Sequence, residues 1–118
     1  MTVRRLLVRF CALAATLVPT AASADAASDL VASGQAIAAE RCARCHATGG
    51  SDASPHAKAP PFRDVVTRYP SEHLAEALAE GIVSGHPDMP VYVMSPPEID
   101  AFLAFLDSLS PDVPATKK

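Results

Sequence analysis

The chain has 118 residues, with 10 basic against 13 acidic side chains and a formal net charge of −3 at neutral pH. That balance excludes the basic footprint of a nucleic-acid binder, and a chain of this length allows one domain. Aromatic residues make up only 5% of it and tryptophan is absent, so its own side chains build a thin core that a disulfide, a metal or a large bound group would reinforce.

In chain order, the first element is a leader. MTVRRLLVR carries Arg4, Arg5 and Arg9, and Phe10 to Val18 is an unbroken apolar run that ends at Pro19. Basic start, short apolar stretch and small-residue site form the layout of a secretory signal peptide, with Ala22-Ser23-Ala24 as its cleavage point. The run is too short to span a bilayer, which takes about 20 apolar residues. Residues 1–24 are therefore expected to be removed and residues 25–118 exported to the periplasm as one domain, with no stable membrane insertion after cleavage. Cleavage removes Cys11 and leaves Cys42 and Cys45. It also removes three arginines, which takes the charge from −3 to −6.

The spacing next predicts a helix from Asp29 to about Cys42, capped by Ser28 or Asp29, with Leu30, Gly34, Ile37, Ala38 and Arg41 on one stripe. Ala47 to Pro61 is rich in Gly, Ser, Pro and Ala and reads as loop. A second helix starts at Ser71, turns Leu74, Ala77, Leu78 and Ile82 inward, and ends at Gly81 or Gly85. Pro87 and Pro90 stop any helix between Gly85 and Ser95. A third follows, with Ser95 as cap, Pro96 in the first turn and Glu98 closing a capping box. Its apolar face holds Ile99, Phe102, Leu103, Phe105 and Leu106, and the Pro-rich tail from about residue 110 is expected to fray. No repeat and no useful strand pattern occurs, so the fold class is all-α.

The chemistry sits at Cys42-Ala43-Arg44-Cys45-His46. Two thiols at this spacing suit a redox dithiol, half a zinc site or an attachment point for haem. A thioredoxin-type dithiol belongs beside a βαβ unit, for which this chain has no strands. Structural zinc needs four ligands, and His56 has no obvious spacing to complete the set. C-x-x-C-H remains, the signature of c-type haem attachment. Two thiols on one helical turn can add to the two vinyl groups on one porphyrin edge, and the adjacent histidine can then bind the iron.

From these residues, together with Pro60-Pro61-Phe62 and Asp88-Met89-Pro90, residues 28–109 resemble the class I c-type cytochromes. The resemblance implies a small cytochrome c fold, with N- and C-terminal helices crossing around one covalent haem. It implies haem bonds at Cys42 and Cys45, His46 as proximal iron ligand and Met89 as distal ligand. It further implies that a carbonyl of the middle proline region, here Pro60, orients the histidine, and that Gly34 meets Phe102 and Phe105 where the helices cross. The family usually places an aromatic four residues before the first cysteine, where this chain has Ala38.

Two residues compete with Met89. His86 would give bis-histidine iron, and Met94, one residue before the last helix cap, suits core packing better. Met89 lies in a proline-held loop that suits no helical core face. His56 and His73 read as surface histidines, while Arg63 and Tyr69 are candidates for the haem propionates. Residues 41–68 carry Arg41, Arg44, Lys58, Arg63 and Arg68, whereas residues 69–112 carry eight acids and no basic side chain. The expected function is one-electron transfer between redox partner proteins by a monomeric carrier, without enzymatic chemistry. The alternatives are a haem enzyme or gas sensor with a labile distal ligand, and a cytochrome subunit of a larger dehydrogenase complex.

Overall fold

Alanine is the strongest helix former, and the stretch before Leu30 is rich in it. In the computed structural model, which describes residues 22–83 and 85–110, the first helix already runs at Ala22. Four helices follow one another: α1 (Ala22–Arg41), α2 (Phe62–Arg68), α3 (Ser71–Glu80) and α4 (Pro96–Ser108). No strand occurs among the described residues. The basic start and apolar run of the expected leader, and the tail from residue 111, lie outside them.

Helix α1 begins earlier than the expected start near Ser28. The Ser28 hydroxyl donates to the Asp25 carbonyl at 2.8 Å, and Ser33 does the same to Asp29 at 2.9 Å. Both serines bond back into the preceding turn rather than capping a helix end. Helix α2, which the sequence reading does not include, forms although Val65, Val66 and Thr67 are β-branched and weak helix formers. It is favoured by Asp64 in its first turn and Arg68 in its last, each matching the helix dipole. Its Phe62 is buried, which adds tertiary support.

Helix α3 starts at Ser71 and stops at Gly81, whose φ of +93° lies in the left-handed region that glycine accepts. A Cβ at Gly81 would also stand 2.6 Å from Val91 Cγ1, so the chain returning after the proline turns passes tightly over it. Helix α4 carries the expected capping box, with Ser95 at its N-cap, Pro96 at its start and Glu98 bonding back to the Ser95 N–H at 2.9 Å.

Helix α4 packs chiefly on α1, then on α3 and α2. The core gathers Ala38, Phe62, Leu78, Met94, Ile99, Phe102, Phe105 and Leu106. Gly34 makes the α1–α4 approach possible, since a Cβ there would lie 1.9 Å from the Ala101 carbonyl oxygen and 2.8 Å from Phe105 Cβ. The crossing partners are therefore Ala101 and Phe105. Phe102 turns its ring edge-on to Phe62, 5.6 Å between centroids. Ala38, where the family usually has an aromatic, is fully buried in this cluster.

Candidate functional site

The end of α1 delivers the attachment motif. The Ala38 carbonyl accepts the Cys42 N–H at 2.9 Å and the Ala43 N–H at 3.0 Å. The Cys42 carbonyl then accepts from Cys45 at 3.0 Å and His46 at 2.9 Å. Both cysteines and the histidine thus share one tight turn. Both cysteines are free thiols, half-buried. Burial pushes the Cys42 thiol up from 9.0 to about 11, against the lowering influence of the Arg41 charge. Among the described residues, no three His, Cys, Asp or Glu side chains gather as a metal site, so the thiols have no protein partners for tetrahedral zinc.

The loop after the motif folds back onto it. Ser54 Oγ accepts the Ala47 N–H at 3.0 Å, the Cys45 carbonyl accepts the His56 N–H at 3.2 Å, and the Ala47 carbonyl accepts the Phe62 N–H at 3.0 Å. These bonds bring Pro60 under the histidine. His46 Nδ1 lies 2.8 Å from the Pro60 carbonyl oxygen, which can only accept, so Nδ1 carries the proton. The proton's position leaves the Nε2 lone pair for a metal and fixes the ring's direction. Phe62 stacks on a face of the same ring, 5.0 Å between centroids and 17° between planes.

Met89 sits in the segment between α3 and α4, its N–H bonded to the His86 carbonyl at 3.1 Å. Met89 and His86 line one open groove with Ile82, Val83, Pro87 and Val91. His86 is exposed, whereas Met89 is half-buried. Met94 is elsewhere: it is buried in the core, and its N–H reaches the Leu78 carbonyl at 2.9 Å. Val83, Val91 and Val93 are 83%, 58% and 64% exposed, an uncovered apolar strip along the segment that carries Met89.

Arg63 is committed within the protein. Its guanidinium donates to the carbonyls of Asp52 at 2.8 Å and Gly49 at 3.4 Å, and it lies 3.9 Å from the carboxylates of Asp52 and Asp64. Arg63 itself stands in the first turn of α2 and its guanidinium is spent on the loop after the motif, while Tyr69 is largely exposed. His56, expected to be an ordinary surface histidine, stands 3.5 Å from the Asp88 carboxylate, beside Met89. Its Nδ1 accepts the Lys58 N–H at 3.3 Å. Arg41 reaches Glu98 at 2.6 Å and lies 6.0 Å over the ring of Tyr92. Neither the His56–Asp88 nor the Arg41–Glu98 pairing has a signal in the sequence, because each joins segments far apart in the chain that only the tertiary packing brings together.

No helix among the described residues is long and apolar enough to cross a membrane. No curated protein and no solved structure matches the chain. The family model for cytochrome c matches residues 31–110, a span that takes in the motif turn, the Pro60 contact, Met89 and α4. The chain therefore belongs to the cytochrome c family, whose members carry covalent haem and transfer electrons through it.

Proposed function

We propose that this protein is an exported, periplasmic carrier of single electrons, with one haem c bonded through Cys42 and Cys45 and held axially by His46 and Met89. The observation that carries this reading is the 2.8 Å contact from His46 Nδ1 to the Pro60 carbonyl, next to two free thiols on the same turn. Imidazole nitrogen and thioether sulfur form the donor pair of electron-transfer cytochromes c. The uncovered valines beside Met89 fit the same group, because a flat apolar macrocycle would cover them.

Bound haem supplies an iron that changes by one electron while both axial positions stay filled, and a Met/His pair raises its potential. The chain's own residues do the positioning. Pro60 keeps the proton on Nδ1, Phe62 braces the His46 ring, and the prolines on either side of Met89 restrict the segment that presents the sulfur. Restriction of this kind favours a carrier over a gas sensor, whose distal ligand must leave.

Purification from the exporting cell followed by acid–acetone extraction and denaturing electrophoresis tests the covalent bond. Haem stain is expected to stay with the band, at a mass lacking residues 1–24. Cys42→Ala with Cys45→Ala should give no stained band and little folded protein. A stable, colourless, helical double variant would refute the claim that haem completes the core.

A further inference from the structure

Pro60, Phe62 and Arg63 are close in sequence and meet the attachment turn and its loop in three ways. The Pro60 carbonyl accepts from His46 Nδ1 at 2.8 Å, and the Phe62 ring stacks on the same imidazole at 5.0 Å. Arg63 bonds elsewhere. Its Nη1 donates to the Asp52 carbonyl at 2.8 Å and to the Gly49 carbonyl at 3.4 Å. The carboxylates of Asp52 and Asp64 flank the guanidinium, each at 3.9 Å. The side chain therefore spans from the first turn of α2 to the loop that leaves His46. The Ala47 carbonyl closes the base of that loop by accepting the Phe62 N–H at 3.0 Å, and the Ala47 N–H donates to Ser54 Oγ. Helix α2 has seven residues and a β-branched middle, so it keeps its place by such ties rather than by its own stability.

We infer that Arg63 is a positioning residue for His46: it latches α2 to the loop after the motif and so keeps Pro60 and Phe62 seated on the imidazole. The inference rests on the proposed binding of iron by His46. Arginine suits the post because its planar fork serves both carbonyls from Nη1 while Nε faces Asp64, and a lysine ammonium offers no such fork. A hydrogen bond donated by Nδ1 raises the basicity of the other ring nitrogen. A firm Pro60 contact thus favours ferric iron, and a loosened one raises the potential. Loss of a positive charge near the iron acts the other way, because a cation favours the reduced state. The opposite signs separate positioning from plain electrostatics.

The test uses the haem-loaded protein carrying isotope-labelled histidine. In its ferrous, diamagnetic state, proton NMR follows the exchange of the His46 Nδ1 proton with solvent. Arg63→Gln is expected to speed this exchange about tenfold or more, as loss of one charge-assisted hydrogen bond implies, and to raise the midpoint potential. Arg63→Lys, which keeps the charge, should fall between on both readings. It also carries the comparison where Arg63→Gln loads too little haem. Asp52→Asn leaves both carbonyls in place and should change either reading less than Arg63→Gln does. Arg68→Gln, exposed in the last turn of α2, should match the wild type.

Wild-type exchange in Arg63→Gln, or a potential that falls, would overturn the assignment. Lower stability in denaturant with unchanged exchange would do the same, since it would leave Arg63 a purely structural part. His46→Ala tells the other failure apart. If that variant keeps the low-spin spectrum of the wild type, His46 is not the iron ligand, and this inference falls with that reading.

Discussion

Two methionines five residues apart in the segment between α3 and α4 meet different surroundings, and substitution should separate them. Met89 lines an open groove, while Met94 is 4% exposed within the core. Met89→Ala is expected to abolish the long-wavelength sulfur band, lower the potential and let carbon monoxide bind ferrous iron, with the helices intact by circular dichroism. Met94→Ala should keep the band and cost about 2–5 kcal/mol in denaturant unfolding, the range for emptying a buried methionine. Loss of the band in Met94→Ala would reverse the assignment, and retention in both would point to His86.

At the scale of the element, the α1–α4 crossing and the start of α4 each depend on one residue. Gly34→Ala would place a methyl 1.9 Å from the Ala101 carbonyl oxygen, a backbone atom that cannot turn aside. The helices would have to separate, at a cost at or above the usual overpacking range of about 1–3 kcal/mol. Urea unfolding should show it, and a neutral result would mean the crossing is looser than described. Glu98 governs the other case. The Ser95 N–H, the Ser95 hydroxyl and Arg41 together hold its carboxyl down to about 2 from 4.5. A lowered carboxyl contributes stability that is full above pH 4.5 and is lost as pH falls through about 2. Glu98→Gln should flatten that acid limb while leaving the helix start in place, because glutamine still accepts from Ser95.

For the whole molecule, the charges that are not consumed internally decide how a partner meets it. Arg41 and Arg63 are engaged by Glu98, Asp52 and Asp64, whereas Arg44, Lys58 and Arg68 are exposed and in no ion pair among the described residues. Glu72, Glu76 and Glu80 recur at helical spacing on the exposed side of α3. If the basic residues beside the attachment turn steer docking, electron transfer to an acidic partner should slow with added salt, since screening at about 0.15 M confines the field to roughly 8 Å. Arg44→Gln with Lys58→Gln should lower the association rate in stopped-flow mixing far more than the potential, as charges at a rim act on encounter. Glu76→Gln with Glu80→Gln should change little. The opposite pattern would make the acidic face of α3 the docking side.

Local signals in the sequence determined much of this protein by themselves. Cys42, Cys45 and His46 are neighbours on one turn whatever the rest of the fold does, so their clustering was legible from spacing alone. Ser95, Pro96 and Glu98 mark the start of α4 because capping uses atoms within four residues, and Gly81 stops α3 for a similarly local reason. The alanine-rich stretch before Leu30 is a local signal too, and its helix propensity outweighs the capping preference of Ser28 and Asp29. Only the tertiary structure decided the rest. Helix α2 runs against its β-branched propensity, and the burial of Phe62 among Phe102 and Phe105 supports it. The Pro60 contact was implied by the family resemblance, and the loop's bonds at Ala47 and Cys45 are what bring its carbonyl to His46 Nδ1. The ties from His56 to Asp88 and from Arg41 to Glu98 and Tyr92 join residues far apart in the chain. Side chains at such positions have many possible partners; the packing of α4 on α1 selects for Arg41, and the folding of the loop after the motif beside the Met89 segment selects for His56.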